Sequence, residues 1–406
     1  MSQADAGRLV TLLTGRAPLL EKLARMEWDT LVSLAIQHDL APWYYARLKA
    51  GSVHPPQAIA EQLREIYLAS AARSMRLFHE LGTILRAFQA AGIPVIPLKG
   101  ACLAEAVYGD VALRPMADID LLVEPDEMPR AVSLLRTLGY NSGQPFDPAA
   151  EQTISQHMPL MARSGAATVE MHWTIVCPAF ESRFATADLE GLWSRAVPAT
   201  IAGVPALMLS PADLLLHLCM HVSSQHRFDG SGLRSFVDMA AVCERYGERV
   251  DWNAFTARAN QWGVANGVYL ALVLAAEWTE FGCPAAVLTG LNADPLDDGT
   301  LSWVKHKVLN GSSLPLRTDF TRLETTTGVG GKLATLRDVV FPSRTVMARM
   351  YPAPAKSWRI LSFYPVRLKD LWVRYHRALW TTVSRDKAFI ADARKEARLR
   401  EYLGWR

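Results

Sequence analysis

The chain has 406 residues, half of them hydrophobic and a fifth charged, with a formal net charge of +3. That length allows two or three domains with a substantial core, in a composition ordinary for a soluble globular protein. The five cysteines (Cys102, Cys177, Cys219, Cys243 and Cys283) are odd in number and scattered without a CxxC pair, which argues against both a disulfide framework and a zinc knuckle.

In chain order, residues 1–91 read as an N-terminal helical region. Glu61 to Ala91 forms one long, well-spaced run, and Pro18, Pro42 and Pro55-Pro56 punctuate the stretch before it. Residues 92–207 hold the strand-rich core. Ile93 to Leu98 predicts a short apolar strand ending at Lys99-Gly100, and Ala101 to Tyr108 has helical composition and spacing. Strand, glycine turn and helix start together would present free backbone N–H groups, a positive dipole end and an ammonium, the ingredients of a phosphate cradle.

Asp118-Ile119-Asp120-Leu121-Leu122-Val123 follows. Strand side chains alternate, so Asp118 and Asp120 converge on one face while Ile119, Leu121 and Val123 point to a core. Two like charges so close are unfavourable unless a cation lies between them, and a hard divalent ion such as Mg²⁺ suits carboxylates together with substrate phosphates. A solvated acidic strand edge is the competing reading. Asp126 then predicts the N-cap of a helix through Leu138, closed by Gly139. His157 to Arg163 and Ala167 to Trp173 flank Ser164-Gly165-Ala166 as a hairpin, which places Glu170 on an inner strand with His172 on the same face. Glu170 is thus available as a third carboxylate.

Ser210-Pro211 opens a helix, and residues 208–283 read as a helical domain. Residues 284–340 are richer in Pro, Gly and Thr and read as a mobile connection. Residues 341–406 form a basic, aromatic C-terminal helical element, with 15 Lys+Arg against 5 Asp+Glu, or +10, which leaves −7 for the rest. Packing of its aromatics onto the body is the favoured reading; contact with RNA or an anionic surface is the other. The opening residues lack a basic n-region followed by an apolar h-region, and the longest apolar run, Gly267 to Ala276, is too short to span a bilayer. A cytoplasmic protein with no transmembrane segment is expected.

Two lesser constellations remain. His217 and His221 are one helical turn apart with His226 following, so they could share one face for a metal; Leu218 stands where a zinc protease needs Glu, and supporting or core histidines are the favoured reading. Gly328-x-Gly-Gly has no preceding strand and carries little weight as a nucleotide fingerprint.

Taken in order, PLKGACLAEAVYGDVALRPMADIDLLV (97–123) and VEMHW (169–173) resemble nucleotidyltransferases of the DNA polymerase β type, and more narrowly a bacterial branch labelled uncharacterised nucleotidyltransferase. WDTLVSLAIQHDLAPWYYARLK, LSPADLLLHLCMHVSSQH and VVFPSRTVMARMYP are similar to that branch's flanking segments. The resemblance implies an α+β fold, a small mixed β-sheet nucleotidyltransferase core flanked by N-terminal and C-terminal helical regions. It implies transfer of a nucleoside monophosphate from an NTP such as ATP to an acceptor hydroxyl or phosphate on a small molecule, sugar, peptide or RNA. Metal ligands and catalytic residues fall on Asp118, Asp120 and Glu170, holding Mg²⁺ or Mn²⁺, and triphosphate contacts on Lys99, Gly100 and Arg114. A structural ion pair of Arg114 with Asp110 or Glu124 is its other reading. The chain departs from the superfamily in having Lys99 before a single glycine and Glu, not Asp, as third acid. A catalytically silent nucleotide sensor or partner-binding protein on the same fold is the alternative function.

Overall fold

The computed structural model describes residues 25–51, 53–143, 156–175, 189–230, 232–279, 281–310, 329–354, 356–383 and 387–404. Pro18, Cys177 and Gly328 lie outside the described residues. Helices α1 (Arg25–Gln37), α2 (Ala41–Ala50) and α3 (Gln57–Ala90) precede the sheet. Helix α3 buries Leu77, Phe78, Leu81, Ile84, Leu85 and Phe88, a 3–4 spacing that lays one stripe on the core.

The chain reverses at Gly92, whose φ of 67° only glycine adopts freely, and enters β1. The strand expected over 93–98 pairs only at Ile96–Pro97, opposite Leu122 and Leu121. One further bond, from the Leu98 N–H to the Asp120 carbonyl at 2.9 Å, ties the chain to β2 before α4 begins. Next come α4 (Lys99–Ala106) and β2 (Asp118–Leu122). The helix after β2 corrects one expectation. Pro125–Glu127 forms a 3₁₀ turn and α5 (Met128–Thr137) starts beyond it, so Asp126 lies inside the turn rather than capping the helix. Gly139, at φ 88°, closes it as expected.

Strands β3 (Asn141–Ser142), β4 (Met161–Ala162) and β5 (Thr168–His172) complete a five-stranded mixed sheet in the order β1-β2-β5-β4-β3. The β4–β5 hairpin turns at Gly165, φ 75°, and β5 lies inside, parallel to β2. A short α6 (Leu189–Arg195) leads to β6 (Val197–Ile201) and β7 (Val204–Met208), a separate two-stranded ribbon. Its two-residue turn, Ala202-Gly203, has φ of 52° and 70°, as a type I′ hairpin requires.

Ser210 caps α7 (Pro211–Met220) by accepting from the Asp213 N–H. A five-residue π-turn, His221–Gln225, extends α7, and α8 (Arg234–Tyr246), α9 (Trp252–Gln261) and α10 (Ala265–Trp278) pack around it. The connection expected over 284–340 contains α11 (Ala285–Gly290), α12 (Asp298–Asn310) and α13 (Val329–Val340). Val304 and Val308 of α12 enter the main core, a contribution that the neighbouring Pro and Gly residues mask in the sequence. Gly330 and Gly331 sit in the first turn of α13.

Helices α14 (Arg344–Met350), α15 (Phe363–Val383) and α16 (Lys387–Tyr402) follow. Met347, Tyr351, Ala353 and Ile360 form a small second cluster, whereas Leu399, Tyr402 and Leu403 join the main core. Lys307 of α12 and Glu396 of α16 form a buried pair at 2.5 Å. No helix among the described residues is long and apolar enough to cross a membrane.

Removing one partner of a buried ion pair strands the other charge away from water, at a cost of about 3–5 kcal/mol. Glu396→Gln should therefore lower unfolding stability by about 3 kcal/mol in urea titrations. A change within about 0.5 kcal/mol, typical of a surface site, would show that α16 does not seal the core through this pair.

Candidate active site

The site grows out of the parallel pairing of β2 and β5. Asp118 lies opposite Thr168, Asp120 opposite Glu170 and Leu122 opposite His172. With a side-chain period of two, that register puts Asp118, Asp120, Glu170 and His172 on one face, while Ile119, Leu121, Val169 and Met171 are fully buried on the other. The register thus sets Asp120 beside Glu170, and a one-residue slip of β5 would turn Glu170 and His172 into the core.

Asp120 is the centre, and it is 3% exposed. Its Oδ1 accepts from Lys99 Nζ at 3.0 Å and from His172 Nε2 at 2.9 Å. Burial pushes its pKa up, but the His172 hydrogen bond and the Lys99 charge outweigh it and hold the carboxyl well below the usual range. Asp118 and Glu170 behave oppositely. Burial, then the Asp120 charge, raises both; Lys99 and Arg234 offset part of this at Asp118, and His157 and Lys99 at Glu170. Burial lowers the pKa of His172, partly countered by Asp120, so the imidazole is neutral at pH 7 and its Nε2–H is the donor to Asp120.

Lys99 reaches Asp120 from an uncommon backbone conformation. Its φ is 48°, in the left-handed region that disfavours any residue with a Cβ, at a cost of order 1–3 kcal/mol. The following Gly100 is there for space. A Cβ on it would lie 2.8 Å from Met116 Cβ. The Lys99-Gly100 turn thus opens α4 directly beneath the acids, with the lysine aimed at them.

Arg114 is buried, and its partner is neither Asp110 nor Glu124. Its Nε donates to both oxygens of Asp238 at 2.9 Å, and its Nη1 donates to the Pro115 carbonyl at 2.9 Å. Asp238 also accepts from the Tyr108 hydroxyl at 2.8 Å. Asp110 instead accepts from Tyr67. Arg114 Nη1 would lie 3.5 Å from a Cβ on Gly100, so the guanidinium packs against the turn. Sequence reasoning missed Arg234, which donates to Asp39 at 2.8 Å and whose charge acts on Asp118. Arg234 and Asp238 sit one turn apart on α8, more than a hundred residues after Asp118 and Asp120, with no local signal to connect them. His172 did have a signal, its position two residues after Glu170.

Asp120, Glu170 and His172 each offer a ligand atom within 4.8 Å of the others, whereas Asp118, expected as a ligand, shares their face without joining that group. Three carboxylates against Lys99 and a neutral histidine leave two negative charges uncompensated if all three acids ionise. That deficit matches a divalent cation, and the hard oxygen donors fit Mg²⁺ or Mn²⁺. With its Nε2–H hydrogen-bonded to Asp120, the lone pair His172 could offer such an ion is on Nδ1. While that bond stands, it orients the carboxylate.

The five-stranded mixed sheet with helices before and after it is consistent with a nucleotidyltransferase core. Residues 24–280 match the family described as uncharacterised nucleotidyltransferase, and the chain belongs to that family. No curated protein and no solved structure matches it.

A carboxyl whose native pKa is raised binds protons more readily folded than unfolded, so stability falls as pH rises through the window from the ordinary carboxylate value to the raised one. Asp118→Asn removes that penalty. In chelator at pH 7 it should melt above wild type by calorimetry, with the difference shrinking as pH falls towards about 4. A variant less stable than wild type at pH 7 would show that the acids do not repel one another in the native state.

Proposed function

We propose that this chain transfers a nucleoside monophosphate from an NTP to an acceptor hydroxyl or phosphate, releasing pyrophosphate, with Mg²⁺ or Mn²⁺ held by Asp118, Asp120 and Glu170. The observation that carries the reading is the charge balance of the site: three acids on one face of the sheet against one lysine. A divalent ion held there would supply charge neutralisation of the triphosphate and polarisation of the reacting phosphorus.

The protein's own groups account for the rest. Asp120 stays ionised at any physiological pH and anchors the cation site. Lys99, once its ammonium leaves Asp120, is positioned to meet the triphosphate beside the Gly100 backbone at the start of α4. Arg234 supplies a further positive charge near Asp118. Arg114, occupied by Asp238 and Pro115, frames the Gly100 turn and acts on the phosphates through it. Glu170, with its raised pKa, takes the proton from the acceptor as its oxygen attacks the α-phosphorus; the bond to the bridging oxygen breaks and pyrophosphate leaves.

One observation favours the alternative, a nucleotide sensor without chemistry: Asp120 Oδ1 already carries two protein donors. A single experiment separates the two. With water as default acceptor, pyrophosphate release from each NTP with Mg²⁺ or Mn²⁺ should be measurable in wild type. Glu170→Gln should lower it by a factor of about 10² while NTP binding stays within about tenfold, because a group acting on the proton affects the chemical step more than binding. Asp120→Asn should abolish metal-dependent NTP binding as well. Nucleotide binding with no pyrophosphate release from any NTP supports the sensor, and full activity in Glu170→Gln removes that residue from the chemistry.

A further inference from the structure

Three histidines stand in a column where α7 runs into the π-turn. His217 and His221 are one α-helical turn apart, with ring centroids 6.2 Å apart. His221 and His226 are five residues apart, and in a continuous α-helix five residues would rotate the second side chain about 140° away from the first. The π-turn changes that. The His226 N–H donates to the His221 carbonyl at 3.1 Å, the i to i−5 bond that brings residues five apart into line. The rings accordingly lie 4.4 Å apart, with their Nε2 atoms 3.2 Å from each other. Single π-turns within α-helices are rare and concentrate at functional sites.

The third ring gives an independent observation. His217 is 1% exposed, and neither of its ring nitrogens has a hydrogen-bond partner. Burying such a group unpaired is unfavourable by about 1–3 kcal/mol, so an imidazole left this way asks for a ligand. Burial lowers its pKa to about 3, and burial likewise lowers that of His221 well below the ordinary value, so both rings are neutral at pH 7. The facing Nε2 atoms of His221 and His226 share a hydrogen bond, so a cation bound by both would displace the proton between them.

Neutral imidazoles are the form that binds borderline metals, with bonds of about 2.0–2.1 Å. Two nitrogens on a tetrahedral ion at that bond length are about 3.3 Å apart. The His221–His226 separation of 3.2 Å is close to that edge. We propose that His221 and His226 form a nitrogen-rich site for a zinc-class divalent cation, with His217, one turn earlier on the same face, as the third ligand after rotation of its ring. The site is distinct from the carboxylate cluster in donor chemistry, since nitrogen ligands select Zn²⁺, Co²⁺ or Ni²⁺ over Mg²⁺. It nevertheless stands close enough for the charges of Lys99 and Asp120 to act on all three histidines. The proposal does not depend on nucleotidyl transfer.

Co²⁺ tests it, because tetrahedral nitrogen ligation gives a strong visible ligand-field band. The full chain, free of any histidine tag and stripped with chelator, should bind about one Co²⁺ with that band, and Zn²⁺ should displace it. His226→Ala should weaken binding at least about tenfold. Its ring is at the surface, so the fold is not at stake, and an unchanged melting temperature in chelator checks that. His217→Gln should reduce the band intensity. Asp120→Asn should leave the band intact. Absence of the band in wild type, its survival in His226→Ala, or its loss in Asp120→Asn but not in His226→Ala would each overturn the proposal.

Discussion

Everything at the candidate site depends on keeping one buried carboxylate ionised. A lone carboxylate with Asp120's exposure would be expected to take up a proton, because desolvation penalises the charged form. The Lys99 ammonium and the His172 N–H prevent this, and both meet the same oxygen. Each of those donors is in turn fixed by local structure. Lys99 is delivered by a left-handed residue before a glycine that has no room for a side chain. His172 is delivered by the parallel register that also brings Glu170 alongside. The sheet, the turn and the start of α4 therefore answer to a single electrostatic requirement.

That requirement also explains why Asp118 and Glu170 differ from Asp120 although all three share a face. One lysine compensates one acid. The other two are raised first by burial and then by the Asp120 charge. In the absence of a metal the cluster is thus poised between holding protons and holding a cation, and a divalent ion would exchange for protons on binding. Without an ion, Lys99 is held on Asp120.

Much of this was legible in the sequence because strand side chains alternate. Asp118-x-Asp120 and Glu170-x-His172 announce a shared face without any knowledge of partners, and the hairpin at Gly165 places the second strand inside the sheet. Local geometry also marked Lys99-Gly100 as a turn before a helix. What escaped was long-range or conformationally unusual. Arg114 finds Asp238 across 124 positions, while the nearer acids that sequence suggested, Asp110 and Glu124, do not pair with it. The expected cap at Asp126 yielded to a proline-started 3₁₀ turn. The sequence offers His217, His221 and His226 a shared face, but the π-turn that aligns His226 with His221 has no reliable sequence signature.

The central claim is that the Asp118, Asp120 and Glu170 cluster is a divalent-cation site whose place Lys99 holds in the meantime. Anomalous diffraction from crystals grown with Mn²⁺ and a non-hydrolysable NTP tests it most directly. The account predicts a Mn²⁺ peak among these three carboxylates, with Lys99 Nζ withdrawn from Asp120 and turned to the triphosphate. Bound nucleotide with no Mn²⁺ at the acids, and the Lys99–Asp120 pair still closed, would contradict it.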